Sequence, residues 1–529
     1  INMDTSLWYD HYQGVVYPLD LHSAPALGQT KMKVASLTSL CARYVVQDSS
    51  MTIQALHYIP TELCIILMQE ALTSNKDRAV DVLVSHWPYE TLSLQKLVPN
   101  VFTSIKPLYD SFYRSEMTRQ CLRYTTCLAH TFLECLKNKT PTKLRYLDMS
   151  GFPTAEVILF YLATHCMLSY NEARQTIMVD MYNRAVQLLP QPVPDKLVVA
   201  DQFLPESSNL KISVLIKLDA FVTDDKTLTE LSKALKVSSF SDSKLGMCLQ
   251  KLDATCLGEP KLNILLGQIN PQYLTGIRLK YNSINCDSFC SLAPSLEKFT
   301  NLCALDLSCN SISLYQSDSA SQIMGKTLAA LPLLSRLDLS NNRIKSKLRQ
   351  LISCTQQPLQ HLRLVACGLS EMDMAYLSKS HHTAALQHID LSENSLTLCA
   401  VSVGRLLQES KSTLLVVEME DCKLNDDSML RMLPYISMLN SVLYINIAQN
   451  SLSWSVYLNI GEIISKLYLV KAVKSSYCSE CFLIEDEEDF NREKQIFFNQ
   501  LQSVLNRDRD ISLVTQNVDF ILFCAELDI

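Results

Sequence analysis

The sequence predicts an α/β fold: a horseshoe of stacked strand-plus-helix units, with a helical head in front and a short carboxy-terminal cap behind. Three observations carry this. A mixed apolar and polar string recurs, as "LDLSCNSISL" from Leu305 and as "LDLSNNRIKS" from Leu337. Strand-like LxL triplets alternate with stretches whose apolar residues fall at helical spacing, such as "CSLAPSLEKF" and "MAYLSKSHHTAAL". The 529-residue chain, 48% hydrophobic, is also longer than one ordinary globular core supports. A repeat of this period means an array in which each unit buries its apolar face on its neighbours.

Aligned on one small residue, the frame LxxLxLxx[N/C]xL fits seven times. Its turn positions are Asn282, Asn310, Asn342, Cys367, Asn394, Cys422 and Asn450, spaced 28, 32, 25, 27, 28 and 28 residues apart. This is the leucine-rich repeat in its long form, with a helix in each copy. Inward residues of the LxL strand alternate with outward ones. The Asn or Cys stands where the chain leaves the strand and can satisfy backbone groups there.

The chain divides accordingly. Residues 271–480 read as the regular array and 481–529 as the cap. Residues 136–270 hold degraded copies, "LRYLDMSGF" from Leu144 and "LQKLDATCL" from Leu249, with an insertion near 170–210. Residues 33–135 read as apolar helices, "MKVASLTSLCARYVVQD" and "ALHYIPTELCIILMQEAL". Residues 1–32 read as a disordered tail, or as sequence ahead of the true start, since Ile1 comes first and Met3 follows.

Composition excludes several classes. A net charge of −7 and no basic run argue against nucleic acid and against an anionic membrane surface. No stretch of eighteen apolar residues predicts a membrane span. The first thirty residues lack a basic-then-apolar leader, so the nineteen cysteines read as free thiols of a reducing, cytoplasmic compartment, with the nucleus as a second setting. The sequon at Asn138 is then expected to stay unmodified.

Chemistry is sparse. "MGKT" (Met324–Thr327) looks like the end of a phosphate loop, but Ala320 stands where that loop needs glycine. Cys478 and Cys481 form a lone CxxC without a partner pair. His361 and His388 fall on successive predicted strands and lack a third metal ligand. No GxSxG or HExxH occurs. The acidic run 485–489 reads as a solvated linker. These readings predict no catalytic residue, metal or cofactor, and a protein that is not an enzyme.

Strand residues between the leucines should face the inner curve. They are Arg278, Lys280, Asp306, Arg336, Asp338, His361, Arg363, His388, Asp390, Glu418, Glu420, Tyr444 and Asn446, drifting from basic to acidic. Two readings stand: a solvated sheet face, or a surface that binds a protein target.

Four segments carry a family resemblance: "IPTELCIILM" (Ile59–Met68), "HWPYETLSL" (His86–Leu94), "KLRYLDMSGF" (Lys143–Phe152) and "NREKQIFFNQLQSVL" near the end. With the repeats between them, the chain resembles the PRAME and leucine-rich repeat-containing protein 14 family over roughly residues 35–520. It departs at Cys64 and Ile65, where the family usually has Phe then Pro. The resemblance implies a non-enzymatic adaptor, in several members a substrate receptor that joins elongins B and C and a cullin to form a ubiquitin ligase. In others it implies a stoichiometric inhibitor of the kinase complex of NF-κB signalling, and that alternative stays open. Against the elongin-binding pattern, Ser36, Leu37, Cys41 and Val45 fit. Against the cullin pattern that follows it, Ile59, Pro60, Leu63 and Leu67 fit. Leu37, Cys41, Tyr44 and Val45 would share one helix face, which either binds a partner or packs inside the domain.

Overall fold

A computed structural model describes residues 36–98, 116–137, 143–168, 214–238, 245–484 and 486–515. The predicted 1–32 tail and the 170–210 insertion lie outside the described residues. The strands are β1 (Thr91–Ser93), β2 (Tyr146–Thr154), β3 (Val214–Val222), β4 (Leu245–Ala254), β5 (Gly276–Arg278), β6 (Ala304–Asp306), β7 (Arg336–Asp338), β8 (His361–Arg363), β9 (His388–Asp390), β10 (Val416–Glu418), β11 (Tyr444–Asn446), β12 (Ala472–Lys474) and β13 (Ser512–Val514). They form one sheet, and their order in it is their order in the chain. All neighbouring pairs are parallel.

Parallel neighbours cannot be joined by a tight hairpin, so each strand returns through a crossover. In the regular array the crossover is helical, as in Cys286–Leu296, Asp318–Ala329, Ala400–Glu409, Asp426–Ile436 and Trp454–Ser465. Strands stack about 4.8 Å apart, whereas packed helices need roughly 8–10 Å. The stack therefore curves with the sheet inside, which makes the α/β horseshoe. The leucines of the frame fill the space between sheet and helices. Leu305, Leu307, Leu337, Leu339, Leu362, Leu364, Ile389 and Leu391 are all buried. One apolar cluster runs from Ala42 in the head to Ile511 in the cap.

The turn after each strand shows why Asn or Cys is needed. Tyr281, Cys309, Asn341, Ala366, Glu393, Asp421 and Gln449 each precede that residue, and each has a left-handed φ between 49° and 59°. Non-glycine residues resist this conformation by about 1–2 kcal/mol, so the surroundings must impose it. The asparagine does so. Asn310 Nδ2 donates to the Leu279 carbonyl of the preceding repeat at 2.8 Å, and its Oδ1 accepts from the Asn282 and Ile284 amides. Asn342, Asn394 and Asn450 repeat the reach backward, to Leu307, Leu364 and Met419. Cys367 and Cys422 do it with a thiol, donating to Leu339 and Leu391, each at 3.3 Å. A thiol is a poor acceptor, and there the cysteine's own carbonyl takes the neighbouring amide, Ile344 N–H to Cys367 and Leu396 N–H to Cys422.

The earlier copies use other parts. The strands β2, β3 and β4 are longer, and their register shifts after Asp148 and after Leu218. Gly151 takes the left-handed turn at φ 87°, and Asp219 Oδ2 accepts its amide at 2.9 Å. At the far end the acidic run is not a linker. Asp486 caps a helix, Glu487–Leu505, by accepting the Glu488 and Asp489 amides. Carboxylates are stabilised there by the positive end of the helix dipole.

Candidate partner-binding surfaces

The head presents one surface. Ser36 has extended φ/ψ and its Oγ accepts the Ser39 amide at 3.1 Å, so it caps the helix Leu37–Val45. That helix buries only Ala42 within its span. Leu37 is 77% exposed and Tyr44 64%, with Leu40 and Cys41 exposed beside them. Positions 37, 40, 41 and 44 lie on one face of a helix. Val45 is half-buried, and Val46 completes the inner side. Leu40 belongs to this face although the elongin pattern does not require it; its i+3 spacing from Leu37 was the available signal.

Two contacts hold that helix on the head. Thr52, in the helix Ser49–Leu56, donates to the Val45 carbonyl at 3.1 Å. Arg43 Nε meets Glu70 Oε2 at 3.1 Å, and Glu70 lies in the helix Leu63–Thr73. Between these helices Ile59 is half-buried and packs on the core, and Pro60 is exposed. Leu63 is half-buried. Leu67 is a correction: it is buried with Met68 and Ala71 in the core, because an apolar residue one turn beyond Leu63 faces inward on this helix.

The open face of the sheet presents the second surface, and its charges are paired across strands. Arg278 Nε lies 2.8 Å from Asp306 and its NH1 3.6 Å from Asp253, while Lys280 reaches Asp306 at 3.6 Å. Burial pushes the Asp253 carboxyl up to about 6, with Arg278 pulling it down. Arg363 bridges Asp390 at 3.0 Å and Asp338 at 3.4 Å. His388 Nε2 meets Glu418 Oε1 at 3.0 Å, and that bond and charge hold Glu418 low against the effect of burial. Asn446 Nδ2 links Glu418 to Glu420, and Lys474 Nζ closes the series on Glu420 at 2.6 Å. Arg336 and His361 stand half-buried in the row formed by the first residue of each strand.

The stripe is solvated only in part. Asp390, Glu418, Tyr444 and Asn446 are buried, and Val416, Tyr444, Ala472 and Val514 form a small apolar cluster of their own. Lys474 and Asp253 belong to the ladder, and their strands break the frame: Leu257 stands at the turn position after β4, and Glu480 replaces the last apolar residue after β12.

The weaker motifs become structural. Gly325 of "MGKT" sits inside the helix Asp318–Ala329, where a Cβ would strike the Gln350 carbonyl of the next repeat. Cys478 lies 28 residues after Asn450, at the turn position of one further repeat, and its Sγ is 3.4 Å from that of Cys481. Both are buried. The His361 and His388 rings are edge to face at 5.8 Å. Among the described residues no group of three His, Cys, Asp or Glu is placed to hold a metal, and no helix is long and apolar enough to cross a membrane.

A parallel leucine-rich solenoid with a helical head defines the class. Within it the match is direct. The PRAME C-terminal domain model covers residues 212–466 and the PRAME N-terminal domain model residues 34–105. The chain belongs to the PRAME and leucine-rich repeat-containing protein 14 family. It is 28% identical to leucine-rich repeat-containing protein 14 of Xenopus laevis over 430 residues, 79% of this chain and 82% of that one. It is 22% identical to preferentially expressed antigen in melanoma-like protein 7 of Mus musculus over 428 residues, 79% of this chain and 80% of that one. A solved Bacteroides fragilis protein overlays 52% of this chain and 77% of its own, at 14% identity and a TM-score of 0.31.

Proposed function

We propose that this protein is a non-catalytic adaptor of the cytoplasm and nucleus, which docks elongins B and C through its head, engages a cullin beside them, and offers a protein target the open face of its sheet. One observation carries the reading: Leu37, Leu40, Cys41 and Tyr44 stand in solvent on a capped helix anchored by other residues. Monomeric proteins seldom leave such a stripe uncovered. Leu37 and Cys41 would enter an apolar groove, as an amphipathic helix does with i, i+4 anchors. Burying them contributes roughly 2–5 kcal/mol to binding. Ile59, Pro60 and Leu63 would meet the cullin, with Pro60 exposed at the corner between two helices.

The test is co-purification with purified elongin B–elongin C. Leu37→Ser with Cys41→Phe should abolish capture while leaving circular dichroism and the melting temperature unchanged. Ile59→Ala with Pro60→Ala should lose the cullin and keep the elongins. Wild-type protein that captures no elongin at micromolar concentration refutes the ligase reading. The stoichiometric inhibitor, acting through the open face, then takes its place.

A further inference from the structure

We infer that Glu70 is a positioning residue, which through Arg43 fixes the angle between the helix facing elongin and the segment facing the cullin. The inference rests on the reading of the head proposed above.

The geometry behind it is local. The helix Leu37–Val45 packs on the core through Ala42 and Val45, with Val46 buried at its cap. That packing is confined to its carboxy-terminal half, and the half that begins at Leu37 stays exposed. Thr52 pins the carboxy-terminal end at the Val45 carbonyl. The contact that reaches the helix from across the head is Arg43 to Glu70. Arg43 leaves the helix on the flank opposite Thr38, clear of the Leu37–Tyr44 stripe. Glu70 is buried among Leu67, Met68 and Ala71, and Arg43 is its ion partner among the described residues.

A buried carboxylate needs its partner far more than a surface one does. The half-exposed guanidinium could lose the contact at small cost to itself, whereas Glu70 could not. The bond is therefore directional and charge-assisted. Glu70 also lies two turns along the same helix from Leu63. Holding Arg43 thus ties the stripe that would meet elongin to the segment that would meet the cullin.

A cullin that touches both the adaptor and the bound elongin makes two contacts at once. The second contact is strengthened only when the spacing and angle are correct. A loosened helix still presents Leu37 and Cys41, so it still binds elongin. What it loses is the fixed relation to Pro60.

The experiment uses the full chain, purified elongin B–elongin C, and a purified elongin-dependent cullin, with both affinities measured by calorimetry. Glu70→Gln and Arg43→Gln should keep the elongin affinity within about twofold. Each should weaken cullin binding to the preformed complex roughly tenfold, the avidity lost when two contacts decouple. Arg43→Lys, which keeps the charge, should recover most of that loss. Arg43→Gln serves if Glu70→Gln unfolds the head, because Arg43 is half in solvent. Unchanged cullin affinity in Arg43→Gln overturns the proposal. So does an equal loss of elongin and cullin binding, which marks a merely structural pair. A wild-type chain that binds no elongin removes the underlying reading and this inference with it, an outcome seen before any variant is made.

Discussion

Asn394 supports the turn at Cys367 from one repeat further on: its Oδ1 accepts the Cys367 and Leu369 amides at 3.2 and 3.1 Å, and its Nδ2 donates to the Leu364 carbonyl at 2.8 Å. The amide thus bonds backbone on both sides of the boundary between repeats. The Cys367 side chain, one repeat earlier, reaches the Leu339 and Val365 carbonyls through its thiol. Asn394→Ala should cost roughly 3 kcal/mol, since it strands several buried backbone groups. Cys367→Ala should cost about 1 kcal/mol, because a thiol donates weakly. Urea unfolding of both variants measures the difference, and equal midpoints would dismiss the ladder as the source of turn stability.

Leu339 follows Asp338, the last residue of β7, and the two face opposite ways. Leu339→Asp removes a core side chain and buries a carboxylate, for a loss of about 4 kcal/mol or more. Asp338→Ser gives up a 3.4 Å contact with Arg363 and a 2.9 Å bond from the Ser340 amide. That should cost about 1 kcal/mol. Thermal melts that rank the two variants the other way would mean the repeat frame is one residue out of phase.

Acid should destabilise the array through His382. Its ring is fully buried; Nδ1 accepts the Leu359 amide at 3.0 Å, so Nε2 carries the proton toward the Ile352 carbonyl. Burial, with the charge of His381 beside it, pushes its pKa from 6.5 down to about 4. The folded state then binds fewer protons than the unfolded one between those values. Stability is present above pH 6.5 and is lost as pH falls toward 4, by about 2 kcal/mol at pH 5. His382→Gln should flatten that slope between pH 7 and 5, whatever it costs at pH 7.

Thiol labelling should sort the cysteines by exposure. Cys41, Cys256 and Cys354 are exposed, whereas Cys166, Cys367, Cys422, Cys478 and Cys481 are buried, and burial raises the thiols of Cys166 and Cys478 to about 12. A maleimide at neutral pH should modify the first three quickly and spare the rest until the chain unfolds. Reductant should leave the melting midpoint where it is. A drop on reduction would reveal a disulfide that the described structure lacks.

The regular array was legible because two signals coincide in it, the leucine spacing and the turn residue. Each Asn or Cys marks a left-handed residue just before it, and that pairing leaves a letter in the sequence. The strands β1, β3, β12 and β13 pair in the same ladder, yet they stayed hidden because none carries the full leucine frame with its asparagine. On the open face, the sequence named the charged residues without their partners. Pairing across strands depends on register, which the asparagine frame sets only between β5 and β11. In the head, helical spacing placed Leu37 and Cys41 on one face, but spacing alone could not say whether that face was inside or out. Arg43 and Glu70 are 27 residues apart, and nothing in either segment announces the other.

The sequential order of the sheet also has a mechanical consequence. Since each strand bonds only the strands before and after it, a load applied between head and cap travels along one ribbon of parallel bonds. No other part of the sheet carries that load in parallel. Such a chain behaves as a spring under tension, bending by small rotations shared among many joints and yielding by peeling from an end, one repeat at a time. Strain applied at one end of such a coil is spread over many joints before it reaches the other.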